Sequence, residues 1–406
     1  MDFEAWWLIL IPILFGLGWI AAKVDVRQIV SESRNLPDSY FRGLNFLLNE
    51  DHDKAIDAFV EVAKLDSETT ELHFALGSLF RRRGEIERAI RVHQSLLSRS
   101  DLPRADREHA LHEIAQDYFK AGMFDRAEQA FTEVQNTSYA TSATRALIRI
   151  YEAEHDWEKA IGAAAQLRQL TDEPLPQRVH YHCERAQAAL GAKEPDFARV
   201  ASELDAAEFE AGQSAAAGGS QASYARIAML RAYLARRQGD RKTEREWLLA
   251  TLNRSPEFAG LVAKQIMDNF AATNERAQAV SLLKDHYFAH PSLDVFEVVF
   301  AALREDGFAS AWEFAQESLR RHPSLLGLDK VLHTEMVSEE KSGQQGELQQ
   351  RMPAFDLGLL RTMIDKHARR MDKYACRVCG FQAQNYYWQC PGCNSWETYS
   401  PRRPEE

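Results

Sequence analysis

Hydrophobic and polar positions change rhythm three times along the chain. Residues Ala5 to Ala22 (AWWLILIPILFGLGWIAA) run eighteen positions without a charge. At about 1.5 Å per residue, a helix of that length covers roughly 27 Å, close to the hydrocarbon thickness of a bilayer. Trp6, Trp7 and Trp19 fall near its two ends, where indole rings favour the headgroup boundary. The pattern predicts an N-terminal transmembrane anchor over residues 1–22. A cleaved signal peptide is the rival reading. Asp2 and Glu4 in place of a basic start, and the lack of an A-x-A-like site before Lys23, count against it. Lys23, Arg27 and Arg34 follow the span. The positive-inside rule therefore puts a juxtamembrane linker (23–37) and everything beyond it in the cytoplasm. A lone apolar span with no ionisable residue has no means to transport or conduct.

The second rhythm is a repeat. Gly43 is followed by Phe46 and then by Asp53-Lys54-Ala55-Ile56-Asp57-Ala58-Phe59; Leu76-Gly77 is followed by Phe80 and Glu87-Arg88-Ala89-Ile90. It returns as Tyr118, Asp125-Arg126-Ala127 and Phe131, then as Tyr151 and Trp157-Glu158-Lys159-Ala160-Ile161. The alanines at 55, 89, 127 and 160 are spaced by 34, 38 and 33 residues. That is the tetratricopeptide period, with small residues where two antiparallel helices cross and aromatics filling the gaps. Fainter units follow. One runs from Cys183 to Asp205, one over 222–256, and two more end at His290-Pro291 and His322-Pro323, where proline cannot continue a helix. The expectation is about eight helical pairs over 38–325, within a solenoid assigned to 38–335. A small, flexible loop insertion is expected over 207–222, around Ala211 to Ser220, and a polar linker over 336–354. A helix over 355–373 should then lead into the last segment. Such arrays bury an apolar seam between neighbours and present a concave face to peptides or protein surfaces. The predicted class is all-α: a tetratricopeptide superhelical solenoid with an N-terminal transmembrane helix and a small C-terminal metal module.

Composition narrows the function. A formal charge of −11, from 49 basic and 60 acidic residues, argues against a protein that coats nucleic acid. The mean hydropathy of −0.42 excludes a polytopic membrane protein. Four of the five cysteines lie between 376 and 393, with Cys183 alone. That distribution suits a reducing compartment better than a disulfide scaffold. Cys183, on an apolar-rich helix, reads as a small buried side chain. Arg81-Arg82-Arg83 ends a helix just before Gly84, where cations offset the dipole of the last turn; an anionic partner site is the rival. His112-Glu113-Ile114-Ala115-Gln116 begins like a zinc-protease helix, but Gln116 stands where the second histidine would be, so it reads as helix surface. No phosphate loop, dinucleotide fingerprint or nucleophile elbow occurs, and no catalytic residues are proposed.

The third rhythm is YACRVCGFQAQNYYWQCPGCNSWETYSP, over 374–401. Cys376 and Cys379 form one C-x2-C, ten residues intervene, and Cys390 and Cys393 form the second. Each pair lets one tight turn aim two sulfurs at one ion, with Gly380 and Pro391-Gly392 supplying turn chemistry. Two such knuckles make a tetrahedral S4 site for one zinc or a single iron. With all four positions filled by protein sulfur, the ion is structural and not catalytic. Phe381, Tyr386, Tyr387, Trp388, Trp396 and Tyr399 exceed what a metal needs. They are expected to form a miniature core and to pack the module onto the last helical repeats. Base stacking is the rival role; Asp365, Asp372, Glu405 and Glu406 and the membrane tether weigh against it.

This combination of anchor, array and terminal C-x2-C-G-F…Y-W-x-C-P-x-C-x-x-W module resembles the lipopolysaccharide assembly protein B family of Gram-negative bacteria, over essentially the whole chain. The most specific stretches are Tyr40 to Leu48, Leu79 to Arg91 and the 374–399 segment. The resemblance implies a rubredoxin-like or zinc-ribbon module in which Cys376, Cys379, Cys390 and Cys393 hold one iron or zinc. It also implies a regulatory adaptor at the inner membrane, single-pass with its N-terminus outside. In that role the chain promotes degradation of the lipid A deacetylase LpxC by the membrane protease FtsH, and extends to scaffolding other lipopolysaccharide-assembly proteins. The chain departs from the family pattern at 207–222 and 336–352, so contacts in those zones do not transfer. Two other classes remain open at the level of sequence: a rubredoxin-type electron carrier and a general scaffold of an envelope complex.

Overall fold

Pairs of amphipathic helices carry nearly all of the described chain. The computed structural model describes residues 70–215, 220–342 and 373–403, with scattered positions between 42 and 58 and between 359 and 371. The chain divides into two compact units, Met1–His155 and Asp156–Glu406. The anchor expected over 1–22 and the linker over 23–37 lie outside the described residues. Among the described residues, no helix is long and apolar enough to cross a membrane.

The first unit contains α1 (Thr70–Arg83), α2 (Ile86–Leu97), α3 (Arg104–Lys120), α4 (Phe124–Glu133) and α5 (Ala140–Glu154). Gly84 (φ +84°) turns α1 into α2, and Gly122 (φ +72°) turns α3 into α4. In both turns the next amide reaches back five residues, from Glu85 to the Phe80 carbonyl and from Met123 to that of Tyr118. This Schellman-type bond satisfies carbonyls that the helix end would orphan. Ala55, Ala89 and Ala127 are fully buried, as the repeat spacing requires. Gly77 marks the closest crossing: a Cβ there would sit 2.2 Å from Nε2 of His93.

The second unit continues with α6 (Trp157–Thr171), α7 (Gln177–Gly191), α8 (Phe197–Ala215), α9 (Gln221–Gln238), α10 (Arg241–Arg254), α11 (Ala259–Ala271), α12 (Arg276–Ala289), α13 (Leu293–Asp306), α14 (Phe308–Arg321) and α15 (Leu325–Ser342). A 3-10 turn, Pro256–Phe258, joins α10 to α11. Asp156 and Asp240 cap α6 and α10 by accepting the Lys159 and Thr243 amides, each bond removing an orphan donor. Pro291 and Pro323 follow α12 and α14 closely, where the chain must stop being helical. The core runs through Val262, Ile266, Leu283, Phe296, Phe300 and Phe314. Then come two short strands, β1 (Tyr374–Ala375) and β2 (Gln382–Ala383), paired antiparallel with Tyr374 opposite Ala383.

The described parts of two expected irregular stretches are largely helical instead. The loop placed over 207–222 is continuous α8 as far as Ala215, where Ala207 and Ala211 are buried against Val179, Cys183 and Ile227. Alanine is the strongest helix former and lets helices approach closely; runs of small residues here signal packing rather than a loop. The polar stretch from Ser338 begins inside α15. Of the helix expected over 355–373, Leu359, Thr362 to Ile364 and Met371 are helical, and the rest lies outside the described residues.

Candidate metal centre

The two knuckles are built alike. Gly380 donates its amide to the Cys376 carbonyl at 3.0 Å, and Asn394 donates to that of Cys390 at 2.8 Å. Both turns end in the left-handed region, Gly380 at φ +74° and Asn394 at φ +56°. Asn394 thus does for the second knuckle what Gly380 does for the first, as asparagine tolerates that conformation better than most residues. Gly392 has another reason to be glycine, since a Cβ would lie 3.2 Å from Phe381.

The predicted ligands converge. All four Sγ atoms lie within 4.8 Å of one another; Cys376 and Cys393 are 3.8 Å apart, and Cys379 and Cys390 are 3.6 Å apart. A tetrahedron with metal–sulfur bonds of about 2.3 Å has edges of about 3.8 Å. The four cysteines therefore fit a single metal ion, and its chemistry, zinc or iron, uses the same sulfur donors. Polar groups of the module reach two of the sulfurs. Thr398 Oγ1 lies 3.2 Å from Cys376 Sγ, and the Gly392 amide donates to Cys390 Sγ at 3.4 Å. Burial alone would raise the Cys376 thiol, but Thr398 and the Cys379 and Val378 amides outweigh it and bring it down to about 6. A thiol easily deprotonated is one ready to ligate. Cys376 and Cys390 are buried, Cys379 is exposed.

The aromatic residues pack the module onto helices near the end of the array, at Phe258 and Leu261, and also further back, on α7. Trp396 stacks on His180 of α7, centroids 4.9 Å apart and planes 8° from parallel. Trp388 stacks on Phe258 at 5.8 Å. Tyr386 packs edge-on against Phe258 and Trp388. Between these rings lies a polar network. Nε2 of His180 donates to Glu397 at 2.7 Å, and Ser223 donates to the same oxygen at 2.6 Å. Arg226 donates to Nδ1 of His180 at 3.2 Å and to Glu184. With one ring nitrogen donating and the other accepting, the imidazole is neutral; burial likewise pushes its pKa down. Glu397 itself sits at φ +56°, a conformation costly for an unbranched acidic residue, with its carboxylate fixed by the bonds from His180 and Ser223. A second attachment lies further along. Asp294 of α13 accepts from Tyr374 and from Arg403, each at 2.8 Å.

Neither Glu397 nor His180 was legible as a functional residue; nothing in their spacing, 217 positions apart, distinguishes them. The Trp388 and Trp396 excess was the available signal. In the first unit the structure adds to one reading and corrects another. Arg81, Arg82 and Arg83 do lie in the last turn of α1, and Arg81 in addition bonds Glu113 and, at 2.8 Å, Asp117 on α3. Glu113 is no plain surface residue. Burial would raise its carboxyl, yet bonds from His112 and Arg81 hold it at about 2. Cys183 is buried as expected, its thiol pushed up to about 12 by desolvation.

Residues 374–401 match the family described as the rubredoxin metal binding domain, and residues 72–108 match the tetratricopeptide repeat. The chain is 30% identical to lipopolysaccharide assembly protein B of Escherichia coli (strain K12), over 97% of each chain. It is 26% identical to the protein of the same name from Haemophilus influenzae, over 98% of each. Among solved structures it is similar to the C-terminal part of a TPR repeat-containing protein from Cytophaga hutchinsonii. That match has 15% identity and a TM-score of 0.39, and covers 60% of this chain and 94% of the other.

Proposed function

The chain belongs to the lipopolysaccharide assembly protein B family, and from that premise we propose that it is a non-enzymatic adaptor that controls lipopolysaccharide synthesis. In this reading the helical pairs hold the lipid A deacetylase LpxC and deliver it to the membrane protease FtsH. Residues 1–22 tether the chain to the inner membrane, with the bulk of it on the cytoplasmic side. A tether raises the effective concentration of a weak binder beside a membrane-embedded protease. The same surface can gather other lipopolysaccharide-assembly proteins.

The observation that carries the proposal is the clamp between the metal module and α7, α9 and α13. An S4 ion supplies a structural cross-link and has no open coordination position for substrate. Its module spends its aromatic residues and Glu397 on the helices, which favours a scaffold over an electron carrier. The test is the cellular level of LpxC with and without the chain, in cells with active FtsH and in cells depleted of it. LpxC should rise when the chain is removed, and only where FtsH is active. Unchanged LpxC would leave a general scaffold as the better reading.

A further inference from the structure

Tyr399 closes the metal module from the inside. It pairs antiparallel with Cys376, is 2% exposed, and packs in one cluster with Tyr374, Cys376 and Cys390. Tyr387 lies edge-on against it, ring centroids 5.9 Å apart. The Tyr399 hydroxyl is buried and has no hydrogen-bond partner among the described residues. A donor buried without an acceptor is costly, and phenylalanine would fill the same space without that cost. The groups nearest in effect are the sulfurs. Burial, and after it the charge of the Cys390 sulfur, push the phenol up to about 12, with Cys376 and Cys379 acting in the same direction. The hydroxyl therefore keeps its proton, and its strongest charged neighbour is a metal-binding sulfur.

The preceding residue supplies the contrast. Thr398 Oγ1 lies 3.2 Å from Cys376 Sγ, but it also donates to the Ser395 carbonyl at 3.3 Å. A single hydroxyl proton has one donor bond to give, and that of Thr398 already has an oxygen to receive it. That of Tyr399 has none. Cys390, for its part, is 0% exposed and accepts only a long bond, 3.4 Å, from the Gly392 amide. A cysteine that ligates a metal does so as the thiolate, and a charged acceptor draws a stronger hydrogen bond than a neutral one. Loading the site thus creates the acceptor that the phenol lacks.

We propose that Tyr399 is a positioning residue of the metal centre: its O–H donates to the Cys390 thiolate in the loaded module and sets how tightly the ion is held. The inference stands whether or not the chain acts on LpxC. Groups that hydrogen-bond metal ligands from outside the coordination sphere change metal affinity about 10–100-fold. With iron in the site, a bond that draws charge off the sulfur would also tune the reduction potential. Because the module folds around its ion, this hydroxyl also governs how long Trp388, Trp396 and Glu397 remain on the helices.

The test uses the full chain in detergent, loaded with zinc for release kinetics and with cobalt(II) for its sulfur-to-metal charge-transfer band. Tyr399→Phe keeps the ring and removes only the donor. EDTA in excess should strip zinc from it about tenfold faster than from the parent. Its cobalt band should move to longer wavelength, because a thiolate without the bond gives up an electron more easily. Tryptophan fluorescence of the zinc-loaded variant should match the parent, with the module still docked. Tyr387→Phe, on the neighbouring exposed ring, should change neither readout. A hydroxyl that stays orphaned predicts the opposite sign, since removing it would leave zinc release as slow as in the parent or slower. That result overturns the proposal, as do coincident cobalt bands or an equal effect of Tyr387→Phe. A shifted fluorescence does so too, because undocking would then be the cause of release. Should Tyr399→Phe take up no metal, 3-fluorotyrosine placed at position 399 decides. A more acidic phenol donates more strongly, so the cobalt band should move to shorter wavelength, and a band that stays in place overturns the proposal.

Discussion

Two buried histidines, one in each unit, are held by the same parts in different ways. His93 donates from Nδ1 to Asp117 at 2.6 Å, and Arg81 donates to the other oxygen of that carboxylate. His180 donates from Nε2 to Glu397 at 2.7 Å, and Arg226 donates to its other nitrogen. Both imidazoles are 0% exposed. The partner of His93 lies 24 residues away, on a neighbouring helix; those of His180 include one 217 residues away, on the metal module. The first network is therefore built by neighbouring repeats, as a nearest-neighbour array builds everything. The second exists only if a metal-dependent module has folded. The same chemistry serves as mortar in one place and as a latch in the other.

The sharpest way to break this comparison is to remove the metal. Cys390→Ser should lose the ion and unfold residues 374–401, since a tetrathiolate site contributes on the order of 10 kcal/mol to folding such a module. Trp388 and Trp396 would leave Phe258 and His180, while the network around His93 stays intact. Metal content falling to zero with most helical circular dichroism retained is the expected result. Global loss of helix would mean that the module is not a separable latch.

The next largest effect is expected at the mortar. Asp117→Ala strands His93 and Arg81 in a site where the carboxylate is fully buried. Removing one partner of a buried ion pair costs about 3–5 kcal/mol. Thermal unfolding should show the first unit melting early, with metal content unchanged because every ligand and every docking residue lies in the second unit. Loss of metal in this variant would contradict the separation.

How much of this was readable follows the same division. Ala55, Ala89, Ala127 and Gly77 announced the helix crossings because each repeat must solve the same packing problem at the same offset. The four cysteines announced the metal because ligand spacing is a local geometric demand. His93 and Asp117 lie near each other in sequence but share their types with many solvent-facing residues, so period alone does not pick them out. Glu397 and His180 had no local signature at all: a tertiary contact between distant segments leaves no period. The Ala-rich stretch near 211 misled for a related reason, as small residues serve both loops and tight helix contacts.

A milder substitution tests the latch without disturbing the ion. Glu397→Gln keeps the size and an acceptor oxygen but removes the charge that His180 and Ser223 address. Hydrogen bonds to charged groups contribute about 1.5–3 kcal/mol, and part of that should be lost. The module should keep its metal while spending more time undocked. The measurement is protease sensitivity between 343 and 373 together with metal content. Cleavage no faster than in the parent would show that the aromatic stacking alone holds the module.

The smallest effect, and the one specific to the latch, is pH dependence. Burial disfavours the imidazolium of His180, and the Arg226 charge adds to that; the Glu397 bond opposes them only in part, so the docked histidine titrates below its ordinary 6.5. Burial would raise Glu397, but bonds from His180, Ser220 and Ser223 win and place it below its ordinary 4.5. Both groups therefore bind protons more readily when undocked. Stability of docking is fully present above 6.5 and falls as pH drops through that value, with Glu397 adding its loss below 4.5. Tryptophan fluorescence from Trp388 and Trp396 should shift progressively as pH is lowered from about 7.5 to about 5.5, before metal is released. His180→Gln cannot take up this proton, so its fluorescence should stay flat over the same range. If the variant and the parent shift together, the titrating group lies elsewhere and the latch is not set by His180.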